Sequence, residues 1–110
     1  DNQRVFNALK MTLMDPSAQI RINAIEAIME SEHPESYDVI KGCLLDDDDE
    51  VKKNALVALY NLQGRSVLDE IIREPIYSDI LKMEAVSMID EYETDEDAEF
   101  AEKFKEELDD

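Results

Sequence analysis

Ile20-Arg21-Ile22-Asn23-Ala24-Ile25-Glu26-Ala27-Ile28 returns 31 residues later as Val51-Lys52-Lys53-Asn54-Ala55-Leu56-Val57-Ala58-Leu59. Apolar residues fall on apolar ones, a base falls on a base, and Asn-Ala falls on Asn-Ala. The same offset lays Leu13-Met14-Asp15 on Leu44-Leu45-Asp46, and Phe6, Ala8 and Leu9 on Tyr37, Val39 and Ile40. A fixed internal period of this length marks a repeat architecture, in which each unit buries its apolar face against the next. A third copy is more worn. At an offset of 30, Leu81-Lys82-Met83-Glu84-Ala85-Val86-Ser87-Met88-Ile89 falls on Val51 to Leu59. Ahead of it stands a shorter apolar pattern, Val67, Leu68, Ile71 and Ile72. There the aspartate turn gives way to Glu74-Pro75-Ile76-Tyr77-Ser78.

Each copy predicts two helices, over residues 3–14 and 18–31, 34–45 and 49–62, and 67–73 and 78–91. Val51, Ala55, Leu56, Leu59 and Leu62 form an apolar stripe at helical spacing. Ala24, Ala55 and Ala85 share one register position, where a small side chain lets neighbouring helices approach closely. Pro34 suits a first helical turn, and Gly64 suits a helix end that needs a left-handed residue. Ser66 with Asp69, and Thr94 with Asp97, have N-cap spacing. The chain thus divides into repeats over about 3–31, 34–62 and 65–91 within one domain, 1–110. A last helix is predicted over 95–108, with Ala98, Ala101, Phe104 and Leu108 on one side and charges on the other. It suits a polar-backed terminal cap. Val5, Phe6, Ala8 and Leu9 have no comparable polar cover at the other end. Further repeats are expected before them, and the start Asp1-Asn2-Gln3 fits the C-terminal part of a longer protein.

Composition agrees with an all-α chain. Hydrophobic residues make up 44% of the 110, and only two glycines and three prolines interrupt them. A β-sandwich would need turn residues far more often. The net charge is −18, and it grows along the chain: −1 over residues 1–31, −5 over 32–62, −5 over 63–93 and −7 over 94–110. Such a field repels phosphate backbones and anionic lipid, so nucleic acid is not expected as a ligand, and a basic protein partner is compatible. No apolar run approaches the ~20 residues of a membrane span. With Cys43 as the single cysteine no internal disulfide can form, and a cytoplasmic setting is expected.

The helix–aspartate turn–helix pattern, with Ile20-Arg21 and Val51-Lys52 followed by Ala24 and Ala55, resembles the HEAT repeat. The short unit is most similar to the bacterial and archaeal HEAT-like units of phycobilisome lyases. The resemblance implies a right-handed α-α superhelix, an α-solenoid, whose second helices line a concave partner-binding face. It also implies that Asp15 and Asp46, with Arg21 and Lys52, form a ladder joining a turn carboxylate to a base of its own or the next repeat. Two departures stand out: Lys52 and Lys82 occupy positions where the family usually has arginine, and Ile76 replaces the third turn aspartate.

Candidate chemistry is sparse. Asp46-Asp47-Asp48-Asp49-Glu50 could hold Ca²⁺ or Mg²⁺ or dock a basic peptide, but Val51 stands where an EF-hand loop needs glycine. Carboxylates ahead of a helix also serve its N-terminus, and that reading is preferred here and for the second acidic cluster, residues 94–99. His33, beside Pro34 in a turn, has no companions at zinc-site spacing. Cys43 aligns with Thr12 beside the core and has no nearby base, so a buried structural thiol is expected. No phosphate loop or catalytic triad is present, and one histidine with two glycines leaves little room for most hydrolase or transferase designs. No catalytic residue, cofactor or metal is therefore assigned.

Helical geometry places Ile22, Asn23 and Glu26 on the concave side of the first repeat. In the second it places Lys53, Asn54, Val57 and Asn61 there, and in the third Met83, Glu84 and Ser87. Ile22, Val57 and Met83 would form an apolar strip in a polar rim, the composition of a protein-binding face. Alternatively, Asn23 and Asn54 hydrogen-bond between repeats and the apolar residues are partly buried. The expected function is a non-catalytic protein-interaction scaffold, whose partner could include other domains of the same parent chain. The competing reading is a subunit or fragment of a bilin lyase or isomerase, and a third is a spacer without a ligand.

Overall fold

The computed structural model of the chain describes residues 2–92. Its α-helices are α1 Asn2–Thr12, α2 Ala18–Ser31, α3 Ser36–Gly42, α4 Asp49–Gln63, α5 Ser66–Arg73 and α6 Asp79–Tyr92, with a 3-10 turn Cys43–Leu45 closing α3. They form three helical hairpins, α1–α2, α3–α4 and α5–α6. The second helices, α2, α4 and α6, touch in series, and the first helices pack on that layer. The arrangement is an all-helical α-solenoid.

Each second helix starts on a side-chain cap. Ser17 Oγ accepts from the Ile20 amide at 3.4 Å, and Ser78 Oγ from the Leu81 amide at 3.3 Å. Between them, Asp48 Oδ1 accepts from the Glu50 and Val51 amides at 2.9 and 3.1 Å. Each such cap contributes on the order of 1 kcal/mol, and together they hold the period in register at the helix starts. Two residues ahead of the first two caps, Asp15 and Asp46 accept from the amides of Ser17 and Asp48 at 2.8 and 2.9 Å, closing aspartate turns. Ile76 holds the third such place and has no oxygen to offer.

The stripe read from sequence is the core. Val51, Ala55, Leu56 and Leu59 are buried, with Leu62 packed at the margin. Ala24, Ala55 and Ala85 are all buried, as close helix approach requires. In the third hairpin Val67, Leu68 and Ile71 are buried and Ile72 half-buried. On the first-helix side, Lys41 Nζ lies 2.7 Å from Glu70 Oε1 and ties the second hairpin to the third.

Several expectations are corrected. Pro34 precedes α3 rather than opening it, because a turn from His33 O to Ser36 N (2.9 Å) intervenes. The expected helix over 34–45 tightens at Gly42, a poor helix former, into the 3-10 turn. Ser66 is not a cap. Arg65 holds that place without a side-chain cap bond, and the Val67 and Leu68 amides donate to the Gly64 and Arg65 carbonyls to close the first turn of α5. Gly64 has φ 86 and ψ −155, a positive φ suited to glycine but not the left-handed helical state. That state is taken by Glu32, φ 50 and ψ 31, at the end of α2. Phe6 is not an uncovered end residue: it is 1% exposed and stacks on His33 with ring centroids 3.7 Å apart. The cap over 95–108 and the Thr94–Asp97 pair lie outside the described residues.

Candidate partner-binding face

Four residues after each cap stand Arg21, Lys52 and Lys82. Arg21 reaches forward to the next hairpin: Nε and Nη2 donate to Asp46 Oδ2 and Oδ1, both at 3.0 Å. Its Nη1 donates back to the carbonyls of Asp15 and Pro16 at 2.8 and 3.1 Å. The two side chains are only 17% and 15% exposed, so this is a sheltered, two-pronged pair. Burial pushes the Asp46 carboxyl upward. Hydrogen bonds from Arg21 and the Asp48 amide outweigh that effect and hold it below the usual carboxylate range. The ladder therefore has one inter-repeat rung among the described residues. Lys52 finds Ile76 where a partner carboxylate would stand and lies instead 3.6 Å from Asp49. Lys82 turns onto its own hairpin, donating to the carbonyls of Ile71, Ile72 and Glu74 at the end of α5.

Four of the five acids in the run have local roles, and Asp47 is exposed. Asp46 serves the rung and its turn, Asp48 the cap, Asp49 Lys52, and Glu50 lies 3.9 Å from Lys53. Among the described residues, no group of three or more His, Cys, Asp or Glu is placed to hold a metal ion. The Glu35 amide donates to His33 Nδ1 at 3.0 Å, and His33 Nε2 lies 3.0 Å from Gln3 Oε1. Cys43 is half-buried, and burial pushes its thiol up to about 11, far from a reactive thiolate at neutral pH.

The surface of the second helices is uneven. Along α4 and α6 three depressions adjoin. The first, about 320 Å³, is lined by Glu50, Lys53, Asn54, Val57 and Glu84. The second, about 310 Å³, shares Lys53 and Glu84 and adds Ile80, Met83 and Ser87. The third, about 520 Å³, shares Met83 and Ser87 and adds Ile72, Lys82, Val86 and Asp90. Six of the residues singled out from sequence thus line one trough: Lys53, Asn54, Val57, Met83, Glu84 and Ser87. Ile22, Asn23, Glu26 and Asn61 line none of these depressions. Met83 is 71% exposed, whereas Ile22 and Val57 are half-buried against the core, so no evenly exposed apolar strip runs across all three hairpins.

Asn23 and Asn54 do not bridge repeats. Asn23 Oδ1 accepts from Gln19 at 3.0 Å, and Asn54 Nδ2 donates to the Glu50 carbonyl at 2.8 Å, each within its own helix. Asn61 does cross between repeats, donating to Met29 Sδ at 3.6 Å. Sequence reasoning missed Ile72, Ile80 and Val86 as trough walls. Register held the signal for Val86: its counterparts Ile25 and Leu56 are fully buried beneath a following hairpin, while Val86 is half-buried.

No helix among the described residues is long and apolar enough to cross a membrane. No curated protein and no solved structure matches the chain. Residues 3–90 match the family model for HEAT repeats, the span that the three hairpins occupy. With the period, the hairpins and the match in agreement, the chain belongs to the HEAT-repeat family.

Proposed function

We propose that the chain is a non-catalytic scaffold that binds a partner protein or peptide along α4 and α6, with α2 extending the same face. HEAT repeats are generally protein-interaction motifs. The observation that carries the reading is the trough itself, in which Met83 stands exposed between Lys53, Glu84 and Ser87. An adaptable apolar side chain inside a polar rim suits peptide recognition. The rim holds Glu50, Glu84 and Asp90, and its Lys53 already faces Glu50, so a partner with basic flanks fits best.

Peptides selected from a random display library against the chain test this. They should be enriched in Lys and Arg, and Met83→Asp or Val57→Arg should weaken them by about tenfold or more, the loss expected of a central contact. Equal binding to both variants would place the partner elsewhere. An absorbance change on mixing with a free bilin would instead favour the lyase alternative.

A further inference from the structure

Six of the eight large apolar side chains exposed among the described residues lie at one end of the hairpins, where first helix turns into second. Register separates the causes. Ile20 is 40% exposed, but its counterparts Val51 and Leu81 are fully buried, so its exposure reflects its place in the first hairpin. Met14, Leu45 and Ile76 behave differently. Each turn contributes one of them, Met14 and Leu45 at one register place and Ile76 at the next, where the other turns have aspartate, and they are 85%, 54% and 64% exposed. Leu45 belongs to the middle hairpin, flanked on both sides, so its exposure is not an end effect. The opposite turns, residues 32–35 and 63–65, carry polar residues, proline and glycine instead. Exposed acids accompany the apolar row, namely Asp47, Asp49, Glu74 and Asp79. Of the bases at this edge, Arg21 and Lys82 are committed to the bonds described above.

We propose that this turn edge is a second docking surface, fitted to a basic amphipathic helix with an apolar side chain at every seventh position. Packed helices stand about 8–10 Å apart, which sets the spacing of successive turns. Seven residues of an α-helix rise about 10.5 Å, so positions i, i+7 and i+14 meet Met14, Leu45 and Ile76 in turn. A strand repeats a same-face side chain every ~6.8 Å and falls out of step. Flanking lysines or arginines meet the acids, and an acidic helix would be repelled. Met14, Leu45, Ile76 and the four acids line none of the depressions of the α4–α6 trough, although Ile80 stands between the two surfaces, so either assignment can fail alone.

The test uses a labelled synthetic helix of about 22 residues, with leucine at every seventh position, lysines beside them and alanine elsewhere. Fluorescence anisotropy follows its binding to the full chain at about 0.1 M salt, where surface charges still act over ~10 Å. Leu45→Ser should weaken binding by about fivefold or more, and Met14→Ser should add to the loss. Val57→Ser and Met83→Ser, in the trough, should weaken it less than Leu45→Ser does, and circular dichroism checks that each variant keeps its helix. Four results would overturn the assignment: no binding at about 100 µM peptide, Leu45→Ser within about twofold of the parent, equal binding of a peptide with shuffled leucines, or loss confined to the Val57 and Met83 variants.

Discussion

Replacing Ala55 by leucine adds three carbons at a point that is 0% exposed. The site lies on α4, which touches α2 on one side and α6 on the other, so the added volume must displace packed neighbours. Overpacking of this kind costs about 1–3 kcal/mol. For a domain of this size, 1 kcal/mol moves the midpoint by about 4–8 °C, so the expected fall in Tm is roughly 5–20 °C. Ala8→Leu is the matched control, because Ala8 is exposed on α1 and the same carbons there meet solvent. Ala85→Leu extends the test to the worn third copy, where the alanine is also 0% exposed. Thermal melts followed by helical circular dichroism, with urea titrations to confirm an unchanged slope, give the comparison. If Ala55→Leu melts with the parent, or no lower than Ala8→Leu, the shared alanine register is not a packing constraint.

Three further outcomes can be checked. Ser78→Ala should cost about 1 kcal/mol by removing the α6 cap, whereas Ser66→Ala should be nearly silent because Ser66 caps nothing, and urea midpoints distinguish them. Asp46, with its carboxyl held low in the folded chain, contributes stability that is full well above its unfolded value of about 3.9 and is lost as pH falls through the folded value. Asp46→Asn keeps the turn acceptor but not the charge, so the stability gap between parent and variant should narrow as pH falls below the unfolded value of about 3.9 and close once it is below the folded one, and a gap that does not change with pH would contradict the rung. Cys43 should react slowly with a soluble disulfide reagent at neutral pH and faster as pH climbs toward about 11, so rapid labelling at pH 7 would show the thiol to be open.

The second helices were the legible part of the fold. The predicted 18–31 is the observed Ala18–Ser31, and α4 and α6 differ by a residue at their ends, because a polar cap and an apolar stripe mark the same start. The first helices were harder. They are short, and at α5 backbone turns closed the end before Ser66 could act as a cap. The rung was half legible: register brings Arg21 and Asp46 to matching places, but one period cannot say whether a base reaches its own turn or the next. Arg21 reaches the next turn as well as its own, whereas Lys82 keeps to its own hairpin. The candidate face was legible in outline through Lys53, Val57 and Met83. The unequal burial of Ile22 and Met83, which share a register, was not, since it depends on which neighbours cover each hairpin.

The joints between hairpins are fastened at different edges. The first is pinned at the turn edge by Arg21 and Asp46, and near the far ends of α2 and α4 by Asn61 and Met29. At the second, the Lys41–Glu70 pair sits on the first-helix side, and the turn edge has isoleucine where a rung would be. As a mechanical object the stack is therefore uneven. A load that splays the turn edge meets a charged latch at the first joint, and at that edge of the second it meets Ile76 in place of a carboxylate. Such a load should therefore part the second joint before the first.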